Sequence, residues 1–314
     1  MNNSYKKILP VGFFVTVSVS FLAFNAAAQD LVVNDSVFKL KRPAGSGSSR
    51  NKGVYHAGKQ LPTRRYKVSP AKESALLPAS DPKKPVVLPA NVVAAEQLGV
   101  TLWRLRPERS GDTGTRLLTM NGNSKLVAER VPLDTVFHKD EKVRISVESP
   151  RAGYLYIIDR ELHKDESVGD PYMIFPTLKT RGGDNNAIAG KVIEVPAQTD
   201  DPFYFEITPS NENYAGELLT VIVSPVKIEG LKLTMDPIKL PASTVEKWED
   251  LWERMSTSFE LEAGKDMTYT EEEKEAGTGT RLLTQRSPAP QTLISVDATK
   301  GKAFLVSFPL KVSK

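Results

Sequence analysis

Asp159 and Glu161 are the residues whose type and spacing best suit chemistry. Two positions apart in an extended segment, their side chains share a face. Two close carboxylates can split their pKa values and divide acid and base work, as hydrolysis of a polysaccharide or peptide requires. The plainer reading, which the sequence favours, pairs Asp159 with Arg160 or a loop amide where the strand exits, with Glu161 simply exposed. Asp184, Asn185 and Asn186, with Asp165 and Asp170, offer oxygen ligands to calcium. Their spacing lacks the regular Asp-x-Asp-x-Asp-Gly pattern, and such residues in loops are mostly turn formers. The histidines, His56, His138 and His163, have no ligand spacing. There is no phosphate-cradling Gly-x-x-x-x-Gly-Lys and no Gly-x-Ser-x-Gly elbow. The absence of cysteine removes thiol nucleophiles, thiolate metal sites and disulfides. The sequence therefore assigns no catalytic residue, no metal site and no cofactor, and leaves the ligand-binding residues unknown.

The start of the chain reads as an address. Lys6 and Lys7 precede a mostly apolar run from Ile8 to Phe24, and Ala26-Ala27-Ala28 supplies small residues for cleavage before Gln29. The competing reading is an uncleaved anchor, since about 17 apolar residues is the low end for a spanning helix. Residues 1–28 are expected to be a signal peptide, with the protein exported to the periplasm or outside a bacterial cell. No cysteine stands at the junction to take a lipid, and no second long apolar segment follows.

Residues 29–95 have a different composition. Prolines stand at 43, 62, 70, 78, 82, 85 and 89, and Gly-Ser-Gly-Ser-Ser occupies 45–49. Such a stretch buries too little surface to offset its ordering entropy, which predicts a disordered arm. Between 29 and 90 it carries 12 Lys/Arg against 4 Asp/Glu, a net of +8, so the chain after it is acidic at −6. A basic arm suits an anionic envelope polymer or lipid surface, or serves as a plain spacer. Export makes nucleic acid an unexpected partner.

From residue 96 to 314 the pattern is that of a mainly β domain. Val100 and Leu102 alternate with Trp103 and Leu105. Val143, Ile145 and Val147 alternate with Arg144, Ser146 and Glu148; after Ser149–Gly153, the run Tyr154–Ile158 completes an expected β-hairpin at the centre of a sheet. Further strands are expected at 171–176, 191–196, 202–208, 292–296 and 303–312, and a strand covered on both faces at 216–225. One helix is expected with Ser243 and Glu246 as a capping box and Trp248, Leu251, Trp252 and Met255 as its apolar stripe. The two tryptophans read as core in preference to a ligand platform. A second helix is expected from Thr270 to Ala276, with acids in its first turn and Gly277 at its end. Tyr154, Tyr156, Phe203, Tyr204 and Phe205 would form a recognition face wherever they point outward. The heptad Thr-Gly-Thr-Arg-Leu-Leu-Thr occurs at 113–119 and again at 278–284, as two equivalent edge segments or by chance. The pattern as a whole predicts an antiparallel β-sandwich with one packed amphipathic helix, preceded by the basic arm.

Several of these stretches carry a resemblance. Gly99-Val-Thr-Leu-Trp103, Gly153-Tyr-Leu-Tyr156 with Ile158-Asp-Arg-Glu161, Ile174-Phe-Pro-Thr177, Gly182-Gly-Asp-Asn185 and Gly216-Glu-Leu-Leu-Thr220 resemble the bacterial domain-of-unknown-function family 4384. Trp248, Trp252 and Pro288-Ala-Pro-Gln-Thr292 are similar to its longer exported members. The resemblance runs from Gly99 to the C-terminus. It implies a mainly β accessory domain with no established activity, and it carries over no catalytic residue. The expectation is a non-catalytic envelope module that binds a partner protein or polymer, with the arm as tether or electrostatic anchor. The alternative is an envelope polysaccharide or peptide hydrolase using Asp159 and Glu161.

Overall fold

The computed structural model describes residues 32–34, 36–45, 54–61, 96–112, 117–120, 124–149, 151–262, 264–299 and 301–313. The expected signal peptide lies outside them, as does most of the arm. The fold is mainly β, with two sheets packed face to face.

The first sheet holds β1 (Val32–Asn34), β2 (Val54–Gln60), β3 (Glu96–Pro107), β4 (Leu117–Met120), β5 (Ser124–Val131), β7 (Lys142–Glu148), β11 (Val192–Val195), β12 (Phe205–Glu206), β15 (Ser256–Leu261) and β16 (Thr292–Val296). Its long strand is β3. One edge of β3 pairs with β16 and then β5, and the other pairs with β7, which in turn carries β11 and β12. The second sheet runs β14 (Ile238–Lys239), β9 (Tyr172–Phe175), β8 (Gly153–His163), β13 (Tyr214–Ser224), β17 (Phe304–Val312) and β6 (Val136–Phe137), with β10 (Asn186–Ala187) also on β8. Its pairings are antiparallel except β17 with β6. Strand periodicity sends alternate residues to opposite faces. Leu98, Val100, Leu102, Val143, Ile145 and Val147 from one sheet therefore meet Leu155, Ile157, Leu219, Val221 and Phe308 from the other in the main core.

Three expectations change. The predicted hairpin at 142–161 is instead a crossover between sheets, because β7 and β8 do not pair with each other. In one sheet their apolar faces would lie side by side; across the sandwich they bury each other. The second change concerns 29–95. Over residues 32–34, 36–45 and 54–61 the arm is part of the fold: α1 (Ser36–Lys39) follows β1, β2 pairs with β15, and Phe38 is buried. Arg42 seals that segment in place with two hydrogen bonds to Glu148, at 2.8 and 2.7 Å. Proline and serine content hid a short anchored segment whose partners lie over a hundred residues away.

The third change is in the helices. The first predicted helix is α2 (Ala242–Trp252), with Pro241 at the N-cap and no side-chain cap, so Ser243 and Glu246 form no capping box. Its inward face is Val245, Trp248, Glu249 and Trp252, while Leu251 and Met255 are exposed. The stripe is turned because Glu249 reaches inward to Arg160, on the outer face of β8. Trp248 and Trp252 stack at 5.8 Å and pack on the second sheet with Tyr156 and Ile222, as core. The second helix, α3 (Glu271–Thr278), has the Thr270–Glu273 capping box, and Gly279, not Gly277, caps its end. The heptad pair is not equivalent: Leu117 and Leu118 lie on β4, whereas 279–284 form a loop that buries Leu283 against Val192 and Ala276.

Candidate functional site

Alternation along β8 puts Leu155, Ile157 and Asp159 between the sheets, and Tyr156, Ile158 and Arg160 beneath α2. On β13 the same rule puts Val221, Leu219 and Glu217 inward. Across this antiparallel pair Asp159 stands opposite Leu219, and Glu161 opposite Glu217. The inner layer of the sandwich thus turns from hydrocarbon to carboxylate at one end. A register shift between Tyr214 and Gly216 shapes the start of β13 there. Gly216, at φ 143°, fits because a Cβ would collide with the Leu310 carbonyl.

That end encloses a cavity of about 150 Å³. Val143, Ile145, Leu219 and Leu310 form its apolar walls, Asp159 and Glu217 face it from one sheet, and Phe205 and Glu206 close it from β12. A second cavity of about 180 Å³ shares Ile174 and Phe205 with it. A wider cleft of about 640 Å³ lies alongside, lined by Lys164, Asn211 and Tyr214.

The electrostatics of the pair are unusual. Asp159 Oδ1 is sealed from solvent and accepts no hydrogen bond. Burial, then the neighbouring Glu217 and Glu161 charges, push its carboxyl up to about 8, against a smaller opposing effect of the Arg160 backbone amide. Burial also raises Glu217, which accepts a 2.7 Å hydrogen bond from the Tyr214 hydroxyl. Burial and Glu217 together push that phenol far above its ordinary value.

Glu161 acts on Asp159 as the smaller of its two neighbouring charges. It accepts from Ser210 at 2.9 Å and lies 3.5 Å from His163 at the surface. The other oxygen-bearing residues disperse. Burial acts to raise Asp184, but Lys191 at 2.8 Å and the amides of Asn186 hold it down at about 2. Asn185 is buried and donates to the Leu155 carbonyl. Asp165 is held low by the Ser167 hydroxyl, and Asp170 pairs with Lys239. Among the described residues no group of three or more His, Asp or Glu could hold a metal ion. His56 and His138 each sit near a surface glutamate, Glu262 and Glu141.

The aromatic face also divides. Tyr156 and Phe203 are buried, the latter under the Arg144 guanidinium, and Tyr154 packs at the edge of the α2 layer. Tyr204 stands edge-on to Phe203, leaving Phe205 exposed at the cavity mouth. Glu217 is the site residue that sequence reasoning missed, whereas Phe205 is the outward-pointing member of the aromatic set it named. The signal for Glu217 was present: a single acid in the otherwise apolar run of β13.

A contrasting set of buried charges lies on the outer face of the first sheet, beneath α3 and the arm segment. Arg42 meets Glu148, Arg130 meets Glu273, and Arg144 lies 3.7 Å from Glu194. Glu194 also accepts from Tyr269 and, at 2.8 Å, from Gln198. The space among these groups is about 20 Å³, room for a single water.

No protein-family model matches the chain, and neither a curated protein nor a solved structure matches it.

Proposed function

We propose that this chain is a non-catalytic, exported envelope module that recognises a partner protein or polymer through the Asp159–Glu217 end of its sandwich. The observation that carries the reading is a preformed cavity holding a sealed, unpartnered carboxyl oxygen, since polar groups are seldom buried unsatisfied without a role. The resemblance to domain-of-unknown-function family 4384 agrees with an accessory role. The basic residues of 29–95 supply electrostatic attachment to anionic envelope material, while 32–34 and 36–45 dock on the domain. No helix among the described residues is long and apolar enough to cross a membrane.

The hydrolase alternative rested on Asp159 with Glu161, but Glu217 is the carboxyl that shares the cavity with Asp159. A raised carboxyl beside a second one is still a feature of acid catalysis, so turnover belongs in the test. The full chain and its Phe205→Ala variant are compared for retention on washed envelope preparations, and for turnover on a panel of envelope glycans and peptides. Retention that falls at least fivefold in the variant, without turnover, is the expected result. Equal retention overturns the assignment of the site, and turnover abolished by Asp159→Asn overturns the non-catalytic reading.

A further inference from the structure

The cavity's chemistry narrows its ligand. Three carboxyl groups line it, from Asp159, Glu217 and Glu206, with no basic side chain among them. Lys142, on β7, has its ammonium 3.6 Å from Glu206. The rest of the lining is apolar, with Val143 and Ile145 from the facing sheet, Leu219 and Leu310 from the sheet that carries Asp159 and Glu217, and Phe205 from β12. Asp159 and Glu217 are each half-buried and line the cavity, where burial disfavours their charge, and a ligand's donors and positive charge offset that cost. The ligand must therefore present donors and positive charge at one end and hydrocarbon behind it.

We propose that this cavity binds the primary ammonium end of a short aliphatic chain, its nitrogen between Asp159 and Glu217 and its methylenes along the apolar walls. The inference rests on the reading of this end of the sandwich as the recognition site. An ammonium carries three donors and no acceptor, which suits a site lined by acceptors. A volume of about 150 Å³ is roughly five times a water's share of the liquid, room for a nitrogen and a few methylenes. A divalent cation is the weaker occupant, since three-ligand clusters are absent among the described residues. The ammonium has two possible sources, a free alkylamine or a lysine-like side chain on a peptide.

Protons make the inference measurable. The groups facing the site are Glu217 and Tyr214 from β13, Glu161 and His163 from β8, Glu206 from β12 with Lys142 of β7 behind it, and Tyr172 across β9. With Asp159 raised to about 8, the empty pair retains a proton at neutral pH. The entering ammonium displaces it: the carboxyl O–H gives its proton to solvent and the carboxylate accepts from nitrogen. Affinity then rises about tenfold per pH unit from 6 to 8, and falls again near 10, where the amine itself loses its charge.

The experiment is isothermal titration of the full chain with pentylamine, with Nα-acetyl-lysine methylamide and with pentanol, at pH 6, 7 and 8. Two buffers of different ionisation enthalpy count the protons released. The expected result is one saturable amine site, proton release, no pentanol binding, and at least a tenfold loss in both Asp159→Asn and Glu217→Gln, each with an unchanged circular dichroism spectrum. The amide binding more tightly than pentylamine would assign the source to a peptide, and the reverse to a free amine; both support the site. No saturable amine binding at pH 8, undiminished binding by both variants, or tighter binding of calcium ion than of either amine overturns it. Envelope retention still lost in Phe205→Ala while no amine binds would sink the ammonium and leave the recognition site standing. Retention unchanged by that substitution would sink the site itself.

Discussion

The molecule withdraws carboxylates from water in two places, fully in one and partly in the other, and treats them in opposite ways. On the outer face of the first sheet, Glu148 and Glu273 each meet a guanidinium, and Glu194 has Arg144, Tyr269 and Gln198 around it. At the open end of the sandwich, Asp159 and Glu217 line one cavity and repel each other, and among the described residues the Tyr214 phenol is the side-chain donor to the pair. Removing two charges from water is costly, and the attraction between opposite charges with good geometry offsets much of that cost. The first set is a clasp that joins distant segments of chain. The second lacks the compensating cation, which marks it as a place for a ligand.

This contrast can be broken by substitution. Arg42→Met leaves Glu148 buried without its guanidinium and should cost about 3–5 kcal/mol in urea unfolding. A loss below about 1 kcal/mol would mean that the arm segment is no part of the cooperative fold. Next in size is Gly277→Ala in α3, where the new methyl would run into the Glu194 carboxyl. Forcing that clasp apart should cost about 1–3 kcal/mol, read as a lowered thermal midpoint.

The acidic end should respond with the opposite sign. Because Asp159 is raised in the folded state, its contribution to stability is fully present below about pH 4 and is lost as pH climbs to about 8. Its share of the slope is at most about 1.4 kcal/mol per pH unit. Asp159→Asn should flatten that decline and leave the protein more stable than the parent at pH 8, by about 1–2 kcal/mol. A variant less stable at pH 8 would make Asp159 a structural group like Glu148. The smallest effect belongs to Phe205→Ala, whose exposed ring should change stability by less than about 0.5 kcal/mol while lowering envelope retention. A large loss of stability there would turn the cavity mouth into core.

Much of the architecture could be read from the sequence because it follows from local rules. Alternation at Val100–Leu105 correctly separated the sandwich core from the Trp103 layer. The apolar run of β13 announced a strand covered on both faces, by the other sheet and by α2. The run of acids after Thr270 sufficed to place the start of α3. Half of the candidate site was legible as well, since Asp159 stood out as an acid in an apolar strand. Glu217 was not, because i,i+2 spacing is visible in sequence and cross-strand pairing is not. Glu217 is 58 positions from Asp159, and only the β8–β13 register brings them to one cavity.

The sequence by itself thus determined the class of fold, most strand positions and the presence of an acid where hydrocarbon was due, all consequences of short-range periodicity. Tertiary structure alone decided that β7 and β8 lie in different sheets and that Glu249 turns α2 toward Arg160. It also decided that Arg42 locks part of the basic arm onto Glu148, and that Asp159 faces Glu217 without a cation. Each of those outcomes depends on which distant group shares a desolvated space, and the free energy of a buried charge is set by that neighbour rather than by the residues beside it in the chain.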